Sequence, residues 1–233
     1  MELTFNSFLQ HLNAISISVI IILLLMSIIS WYIIFRKILQ LKFINWQSKR
    51  LLKKFWNSES FDLIIININN IKVHHPFSNL ARQSINASIH YEEQAEKNIT
   101  NICTHSEFIN RNMQRAMTED KARLESGLTI LATVGSTAPF IGLFGTVMGI
   151  YNALMTIGAK GTASLNTVAA PVGEALIMTA FGLAVAIPAV FAYNILVRSN
   201  RNFFSKLEIF AHDLYTCLNT GCCIDMKREI EIV

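Results

Sequence analysis

Apolar positions in this chain gather into three long runs, and the polar positions between them recur at helical spacing. The first run extends from about Ala14 to Phe35. The second lies inside the charge-free stretch between Glu125 and Lys160, and the third is Val168 to Val197. A bilayer core of about 30 Å needs about 20 apolar residues in helical form, so each run is long enough to cross it. The pattern predicts an all-α membrane protein with three transmembrane helices, at 14–35, 129–157 and 168–197. Around these lie an N-terminal segment (1–13), a long helical region (36–128), a short loop (158–167) and a helical tail (198–233).

Between the runs the pattern is less even. After the first span, Leu39, Phe43, Trp46 and Leu51 or Leu52 fall on one side of a continuing helix, with basic residues on the other. Such a face suits membrane lipids or a partner, and a plain solvated juxtamembrane helix fits it too. Phe61 to Ile71 alternates partly like a strand, but its asparagines and its isolation favour a short helix or turn. His74, His75 and Pro76 then break the chain. From Ser78 the spacing is strongly helical, and its last part is expected to run unbroken into the second span. Thirty such residues extend roughly 45 Å, a length that needs partners. Phe203, Leu207, Phe210 and Leu214 give the tail a stripe able to pack on this middle region.

Composition sharpens the picture. Of 233 residues 52% are hydrophobic and 15% charged, which fits a membrane protein with a modest water-exposed part. No Lys or Arg precedes the first run, whereas Trp31, Tyr32, Arg36 and Lys37 follow it as an anchor, so it is expected to stay as a helix and not to be cleaved as a signal peptide. Seven basic residues fall within Arg36 to Lys54, and the loop between the second and third runs has only Lys160. The positive-inside rule then places the N-terminus outside (periplasmic) and both the 36–128 region and the C-terminus in the cytoplasm. The net charge of +4 is accounted for by topology, and no nucleic acid is implied. Cys103, Cys217, Cys222 and Cys223 fall on the cytoplasmic side and are expected as reduced thiols. No metal site, cofactor or catalytic set is expected: the His pair has no other ligand type near it, and no phosphate loop or nucleophile–base arrangement is visible.

The chemistry lies in the second and third runs. APFIGLFGTVMGIYNAL (Ala138 to Leu154) and the residues before it place Gly135, Gly142, Gly145 and Gly149 on one helical face, where small residues let membrane helices approach closely. That alone describes a packing seam, but Thr146 adds a polar group to the same stretch. In GEALIMTA (Gly173 to Ala180), Glu174 is the one acidic or basic residue of the third run. Ionised at the centre of a bilayer, a carboxylate costs roughly 2.5–3.5 kcal/mol even on lenient scales, and such groups face a bundle interior or a water path. Counted from the outer ends, Thr146 and Thr179 are each about 16 Å deep and Glu174 about 9 Å. The reading is an acid above a ring of hydroxyls, the alternative being a protonated Glu174 that only links helices. Pro171 is placed in the first turn of the third helix.

KARLESGLTILATVGS (Lys121 to Ser136), APFIGLFGTVMGIYNAL and PVGEALIMTAFGLAVAIPAVFAYN (Pro171 to Asn194), with the arginines that follow, resemble the ExbB/TolQ family of bacterial proton-channel subunits, most like its ExbB branch. The resemblance covers about 80 continuous residues; the first 120 match mainly in layout. It implies a Gram-negative inner-membrane protein, a pentamer of this chain around a pore, and an ExbD-like single-span partner whose intramembrane Asp carries protons. Glu174, Thr146 and Thr179 match the family's pore-lining polar residues. Motion of the partner would then pass to a TonB-like protein, or in the TolQ branch to a TolA-like one. Many relatives have Trp where this chain has Met148, so one packing contact differs. A non-conducting scaffold is the competing class, and an intramembrane enzyme has no residues to support it.

Overall fold

The computed structural model describes residues 14–56, 75–96, 103–160 and 165–220, and these are helical apart from short connections. We number the helices α1 (Ala14–Trp56), α2 (Pro76–Glu96), α3 (His105–Glu125), α4 (Leu128–Lys160) and α5 (Leu165–Thr220). Three of the helical stretches are long and apolar enough to cross a membrane. The expected N-terminal segment, the 61–71 turn and the residues after 220 lie outside the described residues.

The chain divides into two compact units. The first joins α1 up to Ile38 with Gly127–Val197, and the second holds Leu39–Ser126 and the residues from Arg198 on. In the first, Val19, Leu23, Ala138, Met178 and Ala186 are buried together. The large side chains of the unit point the other way: Phe140 is 70% and Phe191 69% exposed. Apolar groups facing outward in this density belong to helices solvated by lipid, where water does not force them inside.

The second unit is built as a water-exposed helical domain is. Phe77, Leu80, Ile85, Ile109, Met113, Leu124, Phe203, Leu207, Phe210 and Leu214 make its core. The tail stripe 203, 207, 210 and 214 is thus buried in full, against α2 and α3. These two helices run antiparallel, pinned by Asn79 Nδ2 donating to Asp120 Oδ2 at 3.1 Å at one end. At the other, the Tyr91 hydroxyl donates to the Cys103 carbonyl at 3.0 Å. Pro76 opens α2 because a first-turn residue needs no N–H donor, and the Asn79 N–H bonds the His75 carbonyl at 2.9 Å. α3 opens on Thr104, whose hydroxyl accepts from the Glu107 N–H, a capping arrangement.

Three expectations need correction. The helix leading to the second span is not unbroken: it stops at Ser126, and Gly127 has φ +84°. That left-handed conformation is open to glycine and costly for a residue with a Cβ. The Asn200 side chain donates to the Leu124 carbonyl at 3.1 Å, so one acceptor freed by the break is satisfied. Pro171 is not in a first turn, because α5 begins at Leu165 and has both Pro171 and Pro188 inside it. Residues 165–170 extend the helix backward, and membrane helices tolerate interior prolines where neighbours satisfy the backbone. Cys217 is disulfide-bonded, unlike Cys103, which is free. The expectation of reduced thiols rested on compartment alone.

Candidate functional site

The first unit holds all seven residues singled out in the second and third runs, and α4 and α5 position them as an antiparallel pair. A Cβ on Gly142 would stand 2.7 Å from the Met178 carbonyl oxygen and 3.1 Å from Gly182 Cα. One on Gly182 would stand 2.7 Å from the Ala138 carbonyl oxygen. The two backbones therefore meet with no side chain between them. Gly145 faces Met178, Gly149 faces Ala175, and a Cβ on Gly135 would collide with Val190. The seam thus runs from Gly135–Val190 at one end to Gly149–Ala175 at the other, more than three turns of helix.

This pairing sets the level of each polar group. Gly145 is level with Met178, so in this antiparallel pair Thr146 is level with Ile177 and Thr179 lies two residues, roughly 3 Å, from its height. Glu174 is level with Gly149, the neighbour of Ala175. The heights agree with the depth count; the directions are less simple. Thr146 is buried, and its hydroxyl donates to the Leu143 carbonyl of its own helix at 2.6 Å. Back-bonding of this kind satisfies the proton while leaving the oxygen lone pairs available.

Glu174 and Thr179 are both half-buried, on α5 and five residues apart. At 3.6 residues per turn this separates them by about 140° around the helix. With Ala175, Met178 and Gly182 facing α4, Glu174 lies at one edge of that face and Thr179 at the other. A single copy therefore does not stack the acid over the hydroxyl; it offers them on opposite flanks. Sequence depth alone counted along the axis and ignored rotation.

One residue escaped the sequence reading. Asn152 of α4 is half-buried and lies within one turn of the height of Glu174, and neither side chain is without a partner. A lone amide in an apolar run was its signal, overshadowed by the glycines and the acid. Among the described residues no group of three or more metal-ligating side chains occurs.

Small residues mark close contact between membrane helices, and an acid within such a helix is a functional-site candidate. Residues 75–209 match the MotA/TolQ/ExbB proton channel family, and the chain belongs to that family. The chain is 42% identical to the biopolymer transport protein ExbB of Xanthomonas campestris pv. campestris (strain B100), over 89% of this chain and 83% of that protein. It is 35% identical to ExbB of Neisseria meningitidis serogroup A, over 87% and 91%. The Tol-Pal system protein TolQ of Haemophilus influenzae is 34% identical, over 83% and 84%. The match extends well before Lys121, so α2 and α3 belong to the family too.

Proposed function

We propose that this chain is an ExbB-type subunit of a Gram-negative inner-membrane proton motor, working with an ExbD-like single-span partner to energise TonB-dependent transport across the outer membrane. In this reading the N-terminus is periplasmic and 36–128 and 198–233 are cytoplasmic, which the distribution of basic residues supports. The observation that carries it is the placement of Glu174: an acid in an apolar run, on the flank of two helices in backbone contact. Several copies, five by analogy with the family, close a ring in which the Glu174 flank of one copy meets its neighbour and the partner helix. Glu174, Thr146 and Thr179 then wet the path and pass protons to the partner's aspartate. Gly135, Gly142, Gly145 and Gly149 keep the walls rigid.

Support for the ExbB branch comes from relatives of that name matched over most of this chain at up to 42% identity. The TolQ-like reading, a part in the Tol-Pal envelope system, is favoured by the extent of the Haemophilus TolQ match. A deciding assay expresses the chain with its single-span partner. Glu174→Ala is expected to abolish both proton flux into loaded vesicles and energised uptake through outer-membrane receptors, with the complex still assembled. Full flux in the assembled variant removes Glu174 from the path. Loss of activity only in step with loss of assembly supports a scaffold instead. Complementation of a TolQ-deficient strain in place of an ExbB-deficient one assigns the other branch.

A further inference from the structure

The second unit buries an imidazole for which the membrane path has no use. His75, just before Pro76, is 1% exposed. Its Nε2 lies 3.1 Å from the Ile44 carbonyl oxygen and 3.2 Å from the Ser48 hydroxyl, both on α1. A carbonyl only accepts, and Ser48 already gives its own proton to that carbonyl at 2.8 Å. Nε2 therefore carries the hydrogen of the neutral ring. Nδ1 is then a bare basic nitrogen, buried and, among the described residues, without a hydrogen-bond partner. On the ring's flank lies Phe77, with centroids 5.7 Å apart, and Phe77 packs edge-on against Phe203 and Phe210.

The charge near this ring comes from one side. Asp120 of α3 is 5% exposed, bonded by Asn79 and 3.5 Å from Arg123. Among the described residues it is the charged group that acts on His75, while Arg123 and Glu119 act on Asp120 in turn. From α1 the described residues that meet the ring are the uncharged Ile44 and Ser48, and from α5 the neighbours of Phe77 are aromatic. Burial outweighs both the bond to the Ile44 carbonyl and the pull of Asp120, and makes His75 a weaker base than a free imidazole; burial also pushes the Asp120 carboxyl up. An added proton on Nδ1 would create a charged donor with no acceptor in place.

We propose that His75 is a proton-binding site separate from the membrane path, one that ties the head of α2 to α1 while neutral and loosens that tie when protonated. The sign follows from linkage. With the folded ring a weaker base than the unfolded one, the unfolded chain takes up more protons as pH falls through about 6.5, and the stability present above that range is lost. Asp120 acts in the opposite sense, from a lower ordinary value. The ligand is the proton itself, and acidification of the compartment this unit faces would weaken the α1–α2 junction.

Deuterium exchange at imidazole C2, read by tandem mass spectrometry on the full-length protein in lipid nanodiscs, follows each histidine without substitution. His75 is expected to show a midpoint below the 6.5 or so of free imidazole, and slower exchange than the exposed His90 and His212. A midpoint at or above that value overturns the proposal. Thermal unfolding then tests the latch. From pH 7.5 to 5.5 the wild type is expected to lose about 2 °C or more. His75→Gln, which keeps a donor for the Ile44 carbonyl but cannot titrate, should lose less than half as much. Equal losses in both proteins refute the latch, and should the variant not fold, the exchange midpoint decides.

Discussion

The two units of this chain are held together by opposite means. In the first, the closest contacts are between backbones: Gly142 against Gly182, Gly149 against Ala175. Its largest side chains, Phe140 and Phe191 among them, face outward. In the second, the large side chains are inside, with Phe77 meeting Phe203 at 5.6 Å and Phe210 at 5.3 Å between ring centroids. The difference follows from solvent. Water drives aromatic rings into a core by about 25 cal/mol per Å² of apolar area. Lipid tails provide no such drive between helices, so close fit and dispersion must do it, and small residues allow the closest fit.

Three substitutions and one control test this contrast, beginning with the largest effect. Phe77→Ala leaves a hole among Phe203, Phe210 and His75, all in the second unit, and is expected to cost about 3–5 kcal/mol. Thermal unfolding in detergent should show an early transition, and an unchanged midpoint would deny the second unit an aromatic core. Gly142→Ala is the converse, a gain of one methyl. Its Cβ 2.7 Å from the Met178 carbonyl oxygen forces α4 and α5 apart, at about 1–3 kcal/mol. The control is Gly158→Ala, where a Cβ meets nothing within 4 Å and helix propensity alone favours alanine by up to about 1 kcal/mol. If both substitutions behave alike, the seam does not depend on backbone contact. The smallest effect is at Thr104→Ala, an exposed cap with a 3.3 Å bond to the Glu107 N–H. About 1 kcal/mol or less is expected, seen as faster amide exchange in the first turn of α3 and not as a global change.

The legibility of the two units differs for the same reason. A membrane span is written in local composition, because transfer of a helix into lipid depends on the length and polarity of one segment. The glycine spacing of α4 was equally open, since positions three, four and seven apart share a face whatever lies opposite. The core of the second unit was visible only in half: Phe203, Leu207, Phe210 and Leu214 announced a buried face, but not that Phe77 would be their partner more than 120 residues earlier. His75 read as a chain-breaking polar residue beside a proline. Its role depends on Ile44 and Ser48, about thirty residues away on another helix, and no pattern near position 75 encodes that meeting.

The amino-acid sequence by itself determined the three apolar helices, the small-residue face of α4, the presence of one acid in the third run and the family. Each follows from properties of contiguous residues: length, polarity, helical spacing and a long motif. Only the tertiary structure decided that the chain turns at Gly127, that Glu174 and Thr179 flank opposite edges of α5, and that an imidazole is sealed between α1 and α2. Those depend on rotation about helix axes and on which distant groups satisfy one another's hydrogen bonds. Burial sets these through the sum of many contacts, and no single segment specifies that sum.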